Sequence, residues 1–195
     1  MTERPASRAA TSIALVPNHR LDAILAPDFL EGLTGITIED LRARRSECDA
    51  IGTSLSYARR LLQGRLDIVL AELKNRQDGT TSDHASLVEQ LPKILAERVH
   101  AAGNGRLTAF LAPGSELEID PDLIARIDAV ADDRRLSNLP SASIEEVEAL
   151  IDELSSLESE ISAQRTALYK RMDALQEELV RRYRSGEASV DSLLT

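Results

Sequence analysis

The chain has no tryptophan, and its three tyrosines and two phenylalanines make up only 3% of 195 residues. Thick globular cores depend on aromatic anchors, so this scarcity argues against one large core. A single cysteine, Cys48, excludes an intramolecular disulfide and suits a reducing compartment. No histidine lies near it in sequence to activate a thiolate, so a small buried core residue is expected rather than a nucleophile. No apolar run is long enough to span a bilayer. The longest early one, Ile13-Ala14-Leu15-Val16, is too short for the apolar core of a secretory signal. The expectation is a soluble, cytoplasmic protein. His19, His84 and His100 lack metal-ligand spacing, and the aspartates between 120 and 133 lack the glycine and spacing of a calcium loop. Neither a phosphate-cradling glycine loop nor a nucleophile elbow is present. No enzyme activity and no metal are therefore expected. Positive charge is also in short supply: Lys and Arg number 23 against 33 Asp and Glu, a net charge of −10. A field of that sign repels DNA and RNA and disfavours direct nucleic-acid binding. It leaves room for a small anionic ligand held by a local arginine cluster.

What the sequence has in abundance is Ala, Leu, Glu and Arg, the composition of long helices and coiled coils. Residues 1–20 mix Pro, Ser, Thr and Arg without a period and read as a disordered tail. Residues 21–185 read as one helical domain. At its start, Leu21, Ile24, Leu25, Phe29 and Leu33 form an apolar patch at helical spacing, interrupted by Pro27. That patch suits either a cap on the protein's own core or a docking element for a partner. A first long helix is predicted over about 38–77, opened by Thr37 with Asp40 three residues on and stopped by Asp78-Gly79. Its apolar series runs Leu41, Cys48, Ile51, Leu55, Ala58, Leu62, Leu66, Val69 and Leu73, a coiled-coil seam. Short helices are expected over about 83–100 and 120–132. A second long helix is predicted over about 144–185, opened by the capping box Ser143-Ile144-Glu145-Glu146 and ended at Gly186. Its seam is Val147, Leu150, Ile151, Leu154, Leu157, Ile161, Leu168, Met172, Leu175 and Leu179. Residues 186–195 are expected to fray. The fold class is all-α: two long helices in an antiparallel coiled-coil hairpin, with shorter helices in the connection. The rival is a homodimer in which the stripes pair between chains.

The informative feature is polar. Gly52, Ser56, Arg59, Gln63 and Asp67 stand on the first long helix, and Glu158, Ser162, Arg165, Tyr169 and Asp173 on the second, at identical spacings of four, three, four and four. At 100° per residue each set falls within roughly 80° of one helix face. Both stripes sit one residue after the apolar seam, so an antiparallel pair brings them to one groove related by an approximate two-fold axis. Arginine offers a planar fork that matches guanine O6 and N7 or a phosphate. A carboxylate accepts from the guanine N1–H and N2–H₂ edge. Arg59 and Asp67, like Arg165 and Asp173, are about 12 Å apart along a helix. They would therefore address different bases of a stacked ligand. A two-fold dimer of a cyclic guanine dinucleotide fits such a groove.

The spacing resembles the E-x₃-S-x₂-R-x₃-Q-x₃-D signature of the RsiG family, the c-di-GMP-dependent anti-sigma factors of actinobacteria. The first copy matches at Ser56, Arg59, Gln63 and Asp67 and departs at Gly52. The second matches at Glu158, Ser162, Arg165 and Asp173 and departs at Tyr169. The resemblance implies a c-di-GMP dimer held on two helices of an antiparallel coiled coil against a WhiG-type sigma factor. The chain would be a monomer, or a 1:1 heterodimer with sigma. Glycine at 52 removes a carboxylate and weakens the helix by about 1 kcal/mol against alanine. Tyrosine at 169 keeps a hydroxyl and adds a stacking surface. The alternative is a ligand-free coiled-coil adaptor or homodimer, since solvated helix faces are also rich in Ser, Arg, Gln and Asp.

Overall fold

A computed structural model of the chain describes residues 19–79 and 119–187. The expected helix over 83–100 and most of both tails lie outside these residues. The described part is helical throughout: α1 (His19–Leu25), α2 (Ile38–Gln77), α3 (Pro121–Ala131), α4 (Asp133–Ser137) and α5 (Ile144–Ser185), with 3-10 turns at Pro27–Leu30, Leu33–Gly35 and Leu139–Ser141.

Both long helices start where the sequence places the caps. The Thr37 hydroxyl accepts from the Asp40 backbone N–H at 3.0 Å and donates to the Asp40 carboxylate at 2.8 Å, so only half of a capping box forms there. At Ser143 the box is complete, with Glu146 N–H on the serine hydroxyl and Ser143 N–H on the Glu146 carboxylate. Gly186 ends α5 with a φ of 77°, a left-handed conformation that glycine adopts without a Cβ penalty.

The two long helices pack against each other within one chain and run antiparallel. Arg42 near the start of α2 meets Tyr183 near the end of α5, Arg59 meets Ser162 in the middle, and Arg76 at the end of α2 meets Ala142 just before α5. The predicted seams form the core. Leu41, Cys48, Ile51, Leu55, Ala58, Leu62 and Val69 are buried on α2, with the predicted Leu66 and Leu73 partly exposed, and nine of the ten predicted α5 positions are buried, with Ile151 partly exposed. Fully burying a leucine or isoleucine contributes about 1.5–3 kcal/mol, so this seam is the main source of cohesion. Cys48 is fully buried, and desolvation pushes its thiol up to about 11, which fits a packing residue and not a nucleophile.

Two details differ from the sequence reading. The tail does not extend to residue 20: α1 begins at His19, and Arg20 pairs with Glu47 at 3.2 Å. Residues 133–142, between the expected helices at 120–132 and 144–185, form a further short helix and a 3-10 turn, because Asp132 caps the N–H of Arg135 and Pro140 occupies the first turn of the 3-10 segment. The structure also shows where the apolar patch at 21–33 packs. Leu21 and Ile24 are buried, and Leu25, Phe29 and Leu33 pack on the same core. The patch packs on the protein's own helix pair, chiefly against α5. On the other side, Leu123, Ile127 and Val130 of α3 are buried against α2 and α5.

An approximate two-fold relation extends far beyond the polar stripes. Leu33, Ile36, Thr37, Glu72 and Arg76 recur as Leu139, Ala142, Ser143, Glu178 and Arg182, each displaced by the same stretch of sequence that separates Ser56 from Ser162. Within α1 and α3, Leu21 and Ile24 correspond to Ile127 and Val130 in the same way. Each half is a short apolar helix, a 3-10 turn, a cap and a long helix. The dyad passes between α2 and α5 near the middle of the pair.

Candidate functional site

The two polar stripes meet at that dyad. They flank the seam on the same side, so antiparallel packing sets them face to face, and each step up α2 matches a step down α5. Arg59 Nε donates to Ser162 Oγ at 3.0 Å and to Glu158 Oε1 at 2.9 Å. Across the dyad, Arg165 Nε donates to Ser56 Oγ at 2.9 Å. Gln63 Nε2 donates to Glu158 Oε1 at 3.0 Å, and in the equivalent place Tyr169 stands beside Gly52. A Cβ on that glycine would lie 3.8 Å from the Tyr169 hydroxyl oxygen. Seven of the nine predicted site residues are thus brought together: Ser56, Arg59, Gln63, Glu158, Ser162, Arg165 and Tyr169.

The serines explain why the motif needs a hydroxyl there. Ser56 Oγ donates to the Gly52 carbonyl at 2.7 Å, which orients its lone pair toward Arg165. Ser162 Oγ donates to Glu158 Oε1 at 3.1 Å while accepting from Arg59. Both arginines are therefore fixed through Nε, the nitrogen nearest the stem. Among the described residues their terminal Nη1 and Nη2 atoms carry no hydrogen bond. Each guanidinium is held in place and keeps its fork unspent, an arrangement suited to a planar acceptor pair or a phosphate.

The aspartates lie elsewhere. Asp67 and Asp173 are each two helical turns beyond the arginine of their own stripe, at opposite ends of the groove and outside the hydrogen-bonded centre. Asp67 is half-buried and has an interaction partner within the fold, and Asp173 is exposed. By helix rise the two arginines differ in level by about 5 Å, and the two aspartates by roughly 30 Å. The arrangement is a cationic centre with an acidic end on either side.

Sequence reasoning gave no positive role to Gly52, treating it as a lost carboxylate and a local weakening of the helix. It is buried, and its missing side chain leaves the place where Tyr169, Leu168 and Met172 converge. The signal was the coincidence of two departures from one pattern, visible only once the antiparallel register is known. Among the described residues no group of His, Cys, Asp and Glu is placed to hold a metal ion, and no described helix is long and apolar enough to cross a membrane.

A search of curated proteins finds no match. The profile of RsiG-like proteins matches residues 27–95 and 133–195, which takes in both long helices, both polar stripes and the 3-10 turns that precede each cap. With that match over most of its length and the stripes facing across an antiparallel helix pair, the chain belongs to the RsiG-like family.

Proposed function

We propose that the chain is an anti-sigma factor that binds c-di-GMP as a dimer in the groove between α2 and α5 and, so loaded, sequesters a WhiG-type sigma factor in the cytoplasm. Membership of the RsiG-like family supports the anti-sigma role. The observation that carries the ligand reading is the reciprocal anchoring of Arg59 by Ser162 and of Arg165 by Ser56, which fixes two guanidinium forks about a dyad. A pair of cyclic dinucleotides has matching two-fold symmetry, and each arginine offers two N–H donors to guanine O6 and N7 or to a phosphate. Gln63, Glu158 and Tyr169 line the same centre.

The spacing also bears on the ligand's pose. A compact stack of four bases spans only about 10 Å at the spacing of stacked bases. Asp67 and Asp173, roughly 30 Å apart in level, therefore reach the outer bases of a ligand pair laid along the groove. The bound nucleotide then forms part of the surface that meets sigma, and raises affinity because its contacts exist only in the complex. The chain acts as a binding protein and not as an enzyme, a monomer on its own and 1:1 with sigma. It makes no DNA contact, in keeping with its net charge of −10.

One observation favours a ligand-free adaptor: the central polar side chains already bond one another across the helices. The two readings part in a binding assay. Purified chain and a candidate flagellar-type or sporulation sigma factor are mixed with c-di-GMP, c-di-AMP, GTP or no nucleotide. The anti-sigma reading expects a 1:1 complex that c-di-GMP alone strengthens. A complex indifferent to all three nucleotides, or no complex under any condition, supports the adaptor.

A further inference from the structure

Arg59 and Arg165 occupy equivalent positions in unequal surroundings. The Arg59 guanidinium faces a carboxylate at 2.9 Å, and the same Glu158 oxygen also takes Gln63 and Ser162. This half is a closed network with its charge compensated. Around Arg165 the equivalent of Glu158 is Gly52, and among the described residues no carboxylate lies within ion-pair distance of it. Its guanidinium instead sits 4.7 Å over the Tyr169 ring, a cation–π contact that compensates charge far less than a carboxylate does. The two departures from the repeated pattern stand side by side and act as one change: a Gln–Glu rung in one half is a Tyr–Gly rung in the other.

We infer that the groove's two halves bind unequally, and that the half built from Ser56, Arg165 and Tyr169 takes a guanine nucleotide first. This rests on the reading of the groove as a c-di-GMP site. Three features favour that half. Arg165 keeps more of its positive charge for an incoming phosphate or guanine acceptor edge. Tyr169 presents an aromatic ring to a base, and such stacking is worth about tenfold or more in affinity. No side chain at Gly52 crowds the tyrosine's hydroxyl end, where the nearest atoms to an added Cβ are Leu168 Cδ2 at 3.4 Å and the Tyr169 hydroxyl at 3.8 Å. The Arg59 half binds second, because its acceptor must share a guanidinium that Glu158 already holds.

Calorimetric titration of the full chain with c-di-GMP tests this, with helicity of every variant checked by circular dichroism. The wild-type chain is expected to bind in two resolved steps. Tyr169→Ala should weaken the tighter step about tenfold and leave the weaker one within about twofold, whereas Glu158→Gln should move only the weaker step. The double variant Gly52→Glu with Tyr169→Gln rebuilds the Gln–Glu rung and should merge the steps into one; it also serves should Tyr169→Ala fail to fold. Binding of c-di-GMP in a single step by the wild-type chain, or an equal effect of Tyr169→Ala on both steps, overturns the asymmetry and leaves the proposed function standing. No binding of c-di-GMP by the wild-type chain, alone or with a sigma factor, removes both.

Discussion

Arg76 and Arg182 do the same work in the two halves of the fold. Arg76 donates through Nε to Glu72 one turn back on α2, and its two Nη atoms hold the carbonyls of Ala142 and Leu139 just before α5. Arg182 donates through Nε to Glu178, and its Nη atoms hold the carbonyls of Ile36 and Leu33 just before α2. Each arginine clamps the end of its own helix to the entry of the other. The antiparallel register that aligns the polar stripes is thereby locked at both ends.

Removing one clamp should be costly. Glu72 and Glu178 are buried, and a buried ion pair broken by loss of one partner destabilises by about 3–5 kcal/mol. Arg76→Ala should show a loss of that size by urea denaturation, and Arg182→Ala a smaller one, because Arg181 still pairs with Glu178. Arg20→Ala, whose pairing with Glu47 is largely exposed, should cost less than about 1 kcal/mol. Similar losses for all three would show that the clamps are not special.

The second clamp also fixes an acid limit. Hydrogen bonds from Arg181 and Arg182 hold Glu178 at about 2, against about 4.3 for an unperturbed glutamate. A carboxylate depressed in the folded state contributes stability fully above its unfolded value and loses it as pH falls toward its folded value. Stability of the wild-type chain should therefore decline between about pH 4.5 and 2, and Glu178→Gln should flatten that part of the profile. A profile unchanged by the substitution would contradict the assignment.

Cys48 should react slowly. Its thiol is buried and raised to about 11, so the thiolate that attacks alkylating agents is scarce near neutrality. Iodoacetamide labelling of the native chain at pH 7.5 should lag far behind labelling in urea. Rapid native labelling would mean that the α2–α5 seam opens at that level.

Much of this fold is legible in the sequence, and the reasons are local. Ser143 with Glu146, Gly186 and the alternating three- and four-residue apolar spacing each act within a few residues of themselves, so they fix α2 and α5 and their apolar faces without tertiary information. The equality of the stripe spacings is likewise a one-dimensional fact. The landing place of residues 21–33 was not legible, because an amphipathic segment specifies a face and not its partner. The pairing of Gly52 with Tyr169 was hidden for a related reason: two residues far apart in sequence come side by side only through the register. The full extent of the repeat is masked in the sequence because its apolar positions interchange freely, Cys48 for Leu154 and Leu21 for Ile127, leaving only scattered identities such as Glu72 and Glu178 to carry it.

Loss of single polar groups should report on the groove directly. A charged hydrogen-bond partner is worth about 1.5–3 kcal/mol, so Arg165→Ala and Asp67→Ala should each weaken c-di-GMP binding by about tenfold or more. Unchanged affinity in both variants would remove those residues from the ligand contact, and with them the proposed pose.

Whether the groove is a nucleotide site is read most directly from the count and identity of nucleotides bound per chain, measured by equilibrium dialysis of the 195-residue chain. Two molecules of c-di-GMP per chain are expected, with c-di-AMP and GTP bound at least tenfold more weakly. Equal uptake of all three nucleotides, or none of any, would mean that the facing arginines only hold two helices together.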